Sequence, residues 1–171
     1  MTIHCQRCES DDDYAKVSLF LLAHKHDLHP AISTLEMVSL IYSYVTQGHL
    51  VKVTDADNQV IGAAAYYFGT PDQEFLNQEV ALLDVAIFDQ ARRGTRAFLQ
   101  GLQYLVREIV DGNPAVKEIQ LAAQADNHYL CRLYGKFARA SFTREGSHGQ
   151  EIVFSEKIVE IQLFLNRFNT V

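Results

Sequence analysis

The apolar positions along the 171 residues change period several times, and each change marks an element. Val80 to Phe88 is nearly unbroken apolar sequence with one carboxylate, Asp84, inside it. A run of that kind predicts a strand buried on both faces. Asp89-Gln90-Ala91 and then Arg92-Arg93-Gly94-Thr95-Arg96 interrupt it. Beyond them Phe98, Leu102, Leu105 and Ile109 fall at helical spacing, so a helix starts near Gly94 and runs to about Val110. Gly112-Asn113-Pro114 ends that helix, and Val116 to Ala123 reads as the next strand.

The flanking chain reads the same way. Thr2 to Cys8 predicts a first strand. Ser10 followed by Asp11, Asp12 and Asp13 is a helix-start signal, with acids suited to the positive end of the helix dipole. The stripe Tyr14, Val17, Phe20, Leu21 follows, and the helix must stop before Pro30. Ser33 and Glu36 have capping-box spacing and open a second helix. Its buried stripe is expected to be Leu35, Val38, Ile41, Tyr42 and Val45, with Gly48 closing it. Leu50–Thr54 and Val60–Phe68 flank a turn-rich loop and predict a hairpin. Residues 127–137 predict a short helix, and Ser141–Glu145 with Gln150–Glu156 a final hairpin. Val159 to Phe168 reads as a short helix or a strand extension. This order gives an antiparallel meander feeding a right-handed parallel strand–helix–strand crossover.

Composition narrows the class. Apolar residues make up 48% and charged residues 21%, ordinary for a globular protein, and the length is most simply one domain, 1–171. No repeat or linker interrupts it. A net charge of −6 argues against a nucleic-acid surface and is weakly compatible with a cationic substrate. No apolar leader or membrane-length window is visible, so no membrane partner and a soluble, cytoplasmic protein are expected. Cys5 and Cys8 point to opposite faces of a strand, and no ligand set completes them or His24, His26 and His29, so no metal is expected.

Strand, basic glycine-containing turn and helix together form a phosphate-binding arrangement. Backbone N–H groups and the positive dipole end point at the turn, and Arg92, Arg93 and Arg96 add charge. An ordinary solvated turn is the bland alternative, about as common on this stretch alone.

A second stretch shifts that balance. Asn127, Leu133, Tyr134 and Lys136 match, position by position, the segment after the fifth strand in the GNAT superfamily of acyl-CoA-dependent N-acetyltransferases. Arg93 and Gly94 match the start of that family's Arg-Gly-x-Gly-x-Gly/Ala turn. Arg96 stands where its next glycine would be, and Phe98 where its last small residue would be. The sequence therefore resembles this family from about Ile3 to Phe154. The resemblance implies a single-domain α/β fold, a mixed and mostly antiparallel sheet flanked by helices, with the parallel unit at its centre. It implies acetyl-CoA as donor, held by Ile87, Phe88, Arg92, Arg93, Gly94, Thr95, Arg96, Ala97, Asn127 and Tyr134. The pantetheine arm would pair with the central strand near Phe88.

Acetyl transfer to an amine also needs an acid for the departing thiolate and a base for the amine. The resemblance assigns the acid to Tyr134, for which a core role is the alternative. For the base there are two candidates, five residues apart and on opposite strand faces, Glu79 and Asp84. Glu79, nearer the strand mouth where the family often places a base, ranks slightly ahead. Asp84 among apolar neighbours could equally be an ion-paired structural acid. The expected reaction is direct attack by a primary amine of an unnamed small molecule or peptide. The rival is a non-catalytic acyl-CoA-binding or interaction module that keeps the fold. The apolar segment within 157–171 is expected to dock on its own domain or on a second subunit, making a homodimer.

Overall fold

Two serines set the N-terminal helices. Ser10 Oγ accepts from the Asp13 N–H at 3.1 Å, and Asp13 Oδ2 accepts from the Ser10 N–H, starting α1 at Asp11–Leu28. Ser33 Oγ and the Glu36 carboxylate do the same for α2, Thr34–Thr46, at 3.1 and 2.7 Å. Both are capping boxes, which satisfy donors the first helical turn leaves open. The first helix stops at Leu28, two residues before Pro30, with His29 in extended backbone. This computed structural model describes residues 2–169. Met1, Thr170, Val171 and the Thr95 side chain lie outside the described residues, and with them the ends of the expected 1–171 domain and 157–171 segment.

The strands are β1 His4–Arg7, β2 His49–Thr54, β3 Val60–Phe68, β4 Val80–Phe88, β5 Glu118–Gln124, β6 Arg139–Gly146 and β7 Gly149–Lys157. The remaining helices are α3 Thr95–Gly112, α4 His128–Tyr134 and α5 Ile158–Asn166. The strands form one mixed, mostly antiparallel sheet in the order β1-β2-β3-β4-β5-β7-β6, with β4 and β5 parallel. The predicted α/β class and its central parallel strand–helix–strand unit are what the chain forms. Among the described residues no helix is long and apolar enough to cross a membrane.

The chain gathers into two compact units, Met1–Tyr66 with Val85–Leu105, and Tyr67–Asp84 with Val106–Val171. In the first, Val17, Leu21, Met37, Tyr44, Leu50 and Ala65 are fully buried. One ion pair sits among them. Lys52 Nζ donates to Asp13 Oδ1 at 2.5 Å, with side chains 11% and 9% exposed. The same Asp13 carboxylate caps α1, so β2 is tied to the start of that helix. Cys8 is buried nearby, its thiol pushed up to about 12 by burial and then by Asp13. Gly62 is a forced glycine. A Cβ there would stand 2.9 Å from Phe88 Cδ1 and 3.0 Å from the Ile87 carbonyl oxygen.

The expected inner stripe of α2 is corrected. Met37, Ile41 and Tyr44 are buried, whereas Leu35, Val38, Tyr42 and Val45 are 76%, 46%, 71% and 40% exposed. The helix is apolar on two faces, and helical periodicity does not say which of two apolar stripes meets the core.

In the second unit the parallel ladder runs from Val80↔Glu118 to Leu83↔Leu121, and both strands continue past it. The last helix, α5, docks on its own chain. Ile158, Ile161 and Leu165 are buried, and the Phe164 ring lies 5.7 Å from that of Phe137. Val159, Leu163 and Phe168 remain exposed.

Candidate functional site

The turn after β4 is built within the first unit. The Asp89 N–H donates to the Ile61 carbonyl at 2.8 Å, which fixes where the strand ends. Asp89 Oδ1 then accepts from the Ala91 N–H at 2.9 Å and shapes a short 3-10 turn, Gln90–Arg92. The first helical bond of α3 is the Phe98 N–H to the Gly94 carbonyl at 3.1 Å. The N–H groups of Thr95, Arg96 and Ala97 precede it and have no partner within the helix. They lie at the positive end of an 18-residue dipole. A Cβ on Gly94 would meet nothing within 4 Å, so the space over the turn is open. Phe98, in place of a small residue, is buried and does not fill that space. Ile87 and Ala97 are buried supports, and the Phe88 ring packs on Gly62 and Gly101.

The three arginines divide. Arg92 Nη2 donates to the buried Asp55 carboxylate at 3.2 Å, so its charge is committed to the β2–β3 loop. Asp55 also accepts from the Asp57 and Gln59 N–H groups at 3.0 Å, which makes it the organising acid of that loop. Arg93 Nε donates to the Phe88 carbonyl at 3.3 Å, and its side chain is exposed, as is Arg96. The cations facing solvent at the turn are therefore two rather than the three expected. The C-terminal half of α1 tethers the turn, with Gln90 Nε2 donating to Asp27 at 3.0 Å and His24 Nε2 3.8 Å from Asp89.

The second unit carries the titratable groups. Asp84 is the first β4 residue past the parallel ladder. Its carboxylate is 22% exposed and 3.9 Å from Arg144 Nη2. Arg144 Nε donates to Glu151 Oε2 at 2.7 Å, and Glu151 Oε1 accepts from Gln124 Nε2 at 3.1 Å. Tyr134 is buried, its ring edge-on to Phe154 and Phe137 at 5.9 and 6.2 Å. Burial raises its phenol pKa above the ordinary tyrosine range, and the Asp84 charge raises it further. Asn127 caps α4 by accepting from the Leu130 N–H at 3.1 Å.

Glu79 stands elsewhere. It is exposed, one residue before β4 begins, and its carbonyl receives the Lys117 N–H at 2.8 Å. At about 3.3 Å per residue it is roughly 17 Å along the strand from Asp84. The Asp84 charge thus acts on the Tyr134 phenol, whereas Glu79 is not among the groups that do. Arg144 and Glu151 are functional candidates that sequence reasoning missed. They are register partners in the last hairpin, and opposite charges at equal distances from Gly146–Gly149 were the available signal.

Among the described residues no three His, Cys, Asp or Glu side chains converge to hold a metal ion. His26 Nδ1 sits 3.1 Å from the Pro30 carbonyl and His29 Nδ1 accepts from the Ala31 N–H, both local contacts.

No protein-family model matches the sequence, and no curated protein matches it by sequence. Solved structures do match by fold. An aminoglycoside acetyltransferase in complex with coenzyme A superposes with TM-score 0.68 at 15% identity, over 95% of this chain and 98% of that one. A GCN5-related N-acetyltransferase from Kribbella flavida gives 0.66 at 18% identity, over 91% and 97%. The ribosomal-protein-S5-alanine acetyltransferase from Vibrio fischeri gives 0.66 at 12% identity, over 91% and 92%. The chain therefore has the fold of the GNAT acetyltransferases over nearly its full length.

Proposed function

We propose that this protein transfers an acetyl group from acetyl-CoA to a primary amine of a small molecule or peptide by direct attack. The observation that carries the reading is the buried Tyr134 hydroxyl within electrostatic reach of Asp84, the first β4 residue past the β4–β5 parallel ladder. Likeness in fold to acetyltransferases, one of them holding coenzyme A, supports it. In this reading the backbone N–H groups of residues 95–97, with Arg93 and Arg96, take the phosphates. Backbone groups of Ile87 and Phe88 pair with the amide-bearing arm, and Asn127 holds the start of α4 in place.

Asp84 takes the place of Glu79 as the base, because of the two it is the one whose charge acts on the Tyr134 phenol. It accepts a proton from the incoming ammonium, and the freed nitrogen lone pair attacks the thioester carbonyl carbon. The C–S bond breaks as Tyr134 donates its proton to the departing sulfur, and the second proton that the nitrogen sheds as the amide forms reloads the phenolate. Arg92 serves indirectly, by holding Asp55 and the loop beneath the turn.

The non-catalytic alternative draws on one contact. The Arg93 guanidinium occupies the Phe88 carbonyl, and an arm pairing along the strand has to displace it.

Calorimetric titration of acetyl-CoA tests the reading, followed by thiol release across a panel of amines. Arg93→Glu with Arg96→Glu is expected to weaken acetyl-CoA by at least ~10-fold, since it sets like charge against a pyrophosphate. Unchanged affinity removes the turn from the phosphate site. Tight binding with no thiol release for any amine selects the non-catalytic alternative.

A further inference from the structure

The outer face of α2 is at odds with its sequence. Leu35, Val38, Tyr42 and Val45 follow the 3-4-3 spacing of a helix-packing seam, yet all four are exposed. The other exposed positions of the helix on this side are Thr34, Ser39 and Thr46. No Lys, Arg, Asp or Glu lies on this face, in a chain with 15 basic and 21 acidic residues.

We infer that this face is a self-association surface, on which α2 of a second copy of the chain lies antiparallel about a two-fold axis. Three features select that occupant. First, the spacing is that of a helix meeting a helix, not of a strand or an irregular peptide. Second, the seam is self-complementary when reversed. Centred on Leu40, antiparallel pairing sets Leu35 against Val45 and Val38 against Tyr42 of the second copy, then repeats in mirror order. Each layer joins a large side chain to a small one, which lets the helices approach evenly along their length. Third, Thr34, Ser39, Ile41 and Thr46 flank the seam, so self-pairing brings no like charges together. A partner recognised by charge would find nothing here to read.

The seam covers roughly half of the ~800 Å² per partner that a stable interface uses. The expected dimer is therefore weak and concentration-dependent. The exposed Val159 and Leu163 of α5, with Phe168 just beyond its end, form the competing surface for the same role, and their spacing of four and five residues breaks a heptad register.

Sedimentation equilibrium of the full chain from about 1 to several hundred micromolar decides it. The wild type is expected to dimerise. Val38→Glu and Tyr42→Lys, each alone, should be monomeric with unchanged circular dichroism melting, because both side chains start exposed. Mixing the two variants should restore the dimer as a heterodimer. Antiparallel register places the introduced carboxylate of one copy against the introduced ammonium of the other, and leaves the second such layer native. Leu163→Glu should dimerise like the wild type. A wild type monomeric throughout overturns the inference. So does loss of the dimer in Leu163→Glu rather than in the α2 variants. Failure of the mixture to dimerise overturns the antiparallel register on which the inference stands.

Discussion

Tyr134→Phe separates chemistry from packing at one atom. The ring stays between Phe137 and Phe154, and only the hydroxyl is lost. The size of the effect follows from the proton affinities. A free phenol has a pKa of about 10 and a thiol of about 8.5, so handing the proton to a thiolate is already uphill by about 2 kcal/mol. Burial and Asp84 push the phenol higher still, which widens that gap. Tyr134 should therefore hydrogen-bond the sulfur as charge develops and release its proton late. A positioned acid is worth roughly 10²–10⁴ in rate, and this one should fall near the lower end, about 10², or ~2.7 kcal/mol of barrier. Lost stability should be only about 1 kcal/mol, a melting temperature lower by roughly 2–4 °C for a chain of this size. Thiol release at saturating acetyl-CoA, with the best acceptor from the amine panel, measures the first quantity, and calorimetry the second. The raised pKa also fixes a sign. The phenol is loaded below its pKa, so it contributes no basic limb to the rate between pH 8 and about 10. Wild-type turnover in the Phe variant, together with a lowered melting temperature, would make Tyr134 a core residue and refute the assignment.

Further perturbations test the frame. Lys52→Met leaves Asp13 charged and buried without its ammonium, and urea unfolding should show a loss of ~3–5 kcal/mol, whereas a loss under about 1 kcal/mol would mean water relieves the site. Asp13 itself is held down at about 2 from 3.8, first by the Lys52 hydrogen bond, so its contribution is present above about pH 4 and lost as pH falls through 2. The wild-type urea midpoint should then drop more steeply between pH 4 and 2 than that of Asp13→Asn, and parallel curves would contradict the pairing. Gly62→Ala drives a methyl against the Ile87 carbonyl oxygen at 3.0 Å, which side-chain motion cannot relieve. A cost of ~1–3 kcal/mol is expected by thermal melting, and an unchanged melting temperature would show that the strand moves away freely.

Local signals were legible and long-range ones were not. The Ser33–Glu36 capping box and the helix start at Ser10 could be read because their partners are three residues apart. The β4–α3–β5 unit could be read because its period changes twice within forty residues or so. The pairs Lys52–Asp13 and Arg92–Asp55 join residues 39 and 37 apart in sequence, and no periodicity announces them. The end of the parallel ladder at Leu83↔Leu121, just before Asp84, is a register fact that strand composition does not carry. Tyr134 could be named only through family resemblance, since a tyrosine near a helix end has no pattern of its own. The inner face of α2 was misread because the helix has two apolar faces, where amphipathicity had no direction to give.

The division of the chain bears on how it is made. The first unit needs Val85–Leu105 as well as Met1–Tyr66, and the second takes Tyr67–Asp84 before the ribosome reaches Val106. Synthesis therefore delivers the two units interleaved. When Tyr66 emerges, β1, β2 and most of β3 are outside, but the strand end and helix start that complete their unit are still within the ribosome or not yet made. The first unit can close only after Leu105 is out, with a segment of the second already trailing between its parts. Neither half can be produced by cutting the gene once. A nascent chain stalled before Leu105 should expose the buried faces of Val17, Leu21 and Tyr44 to chaperones, and one stalled well beyond it should not.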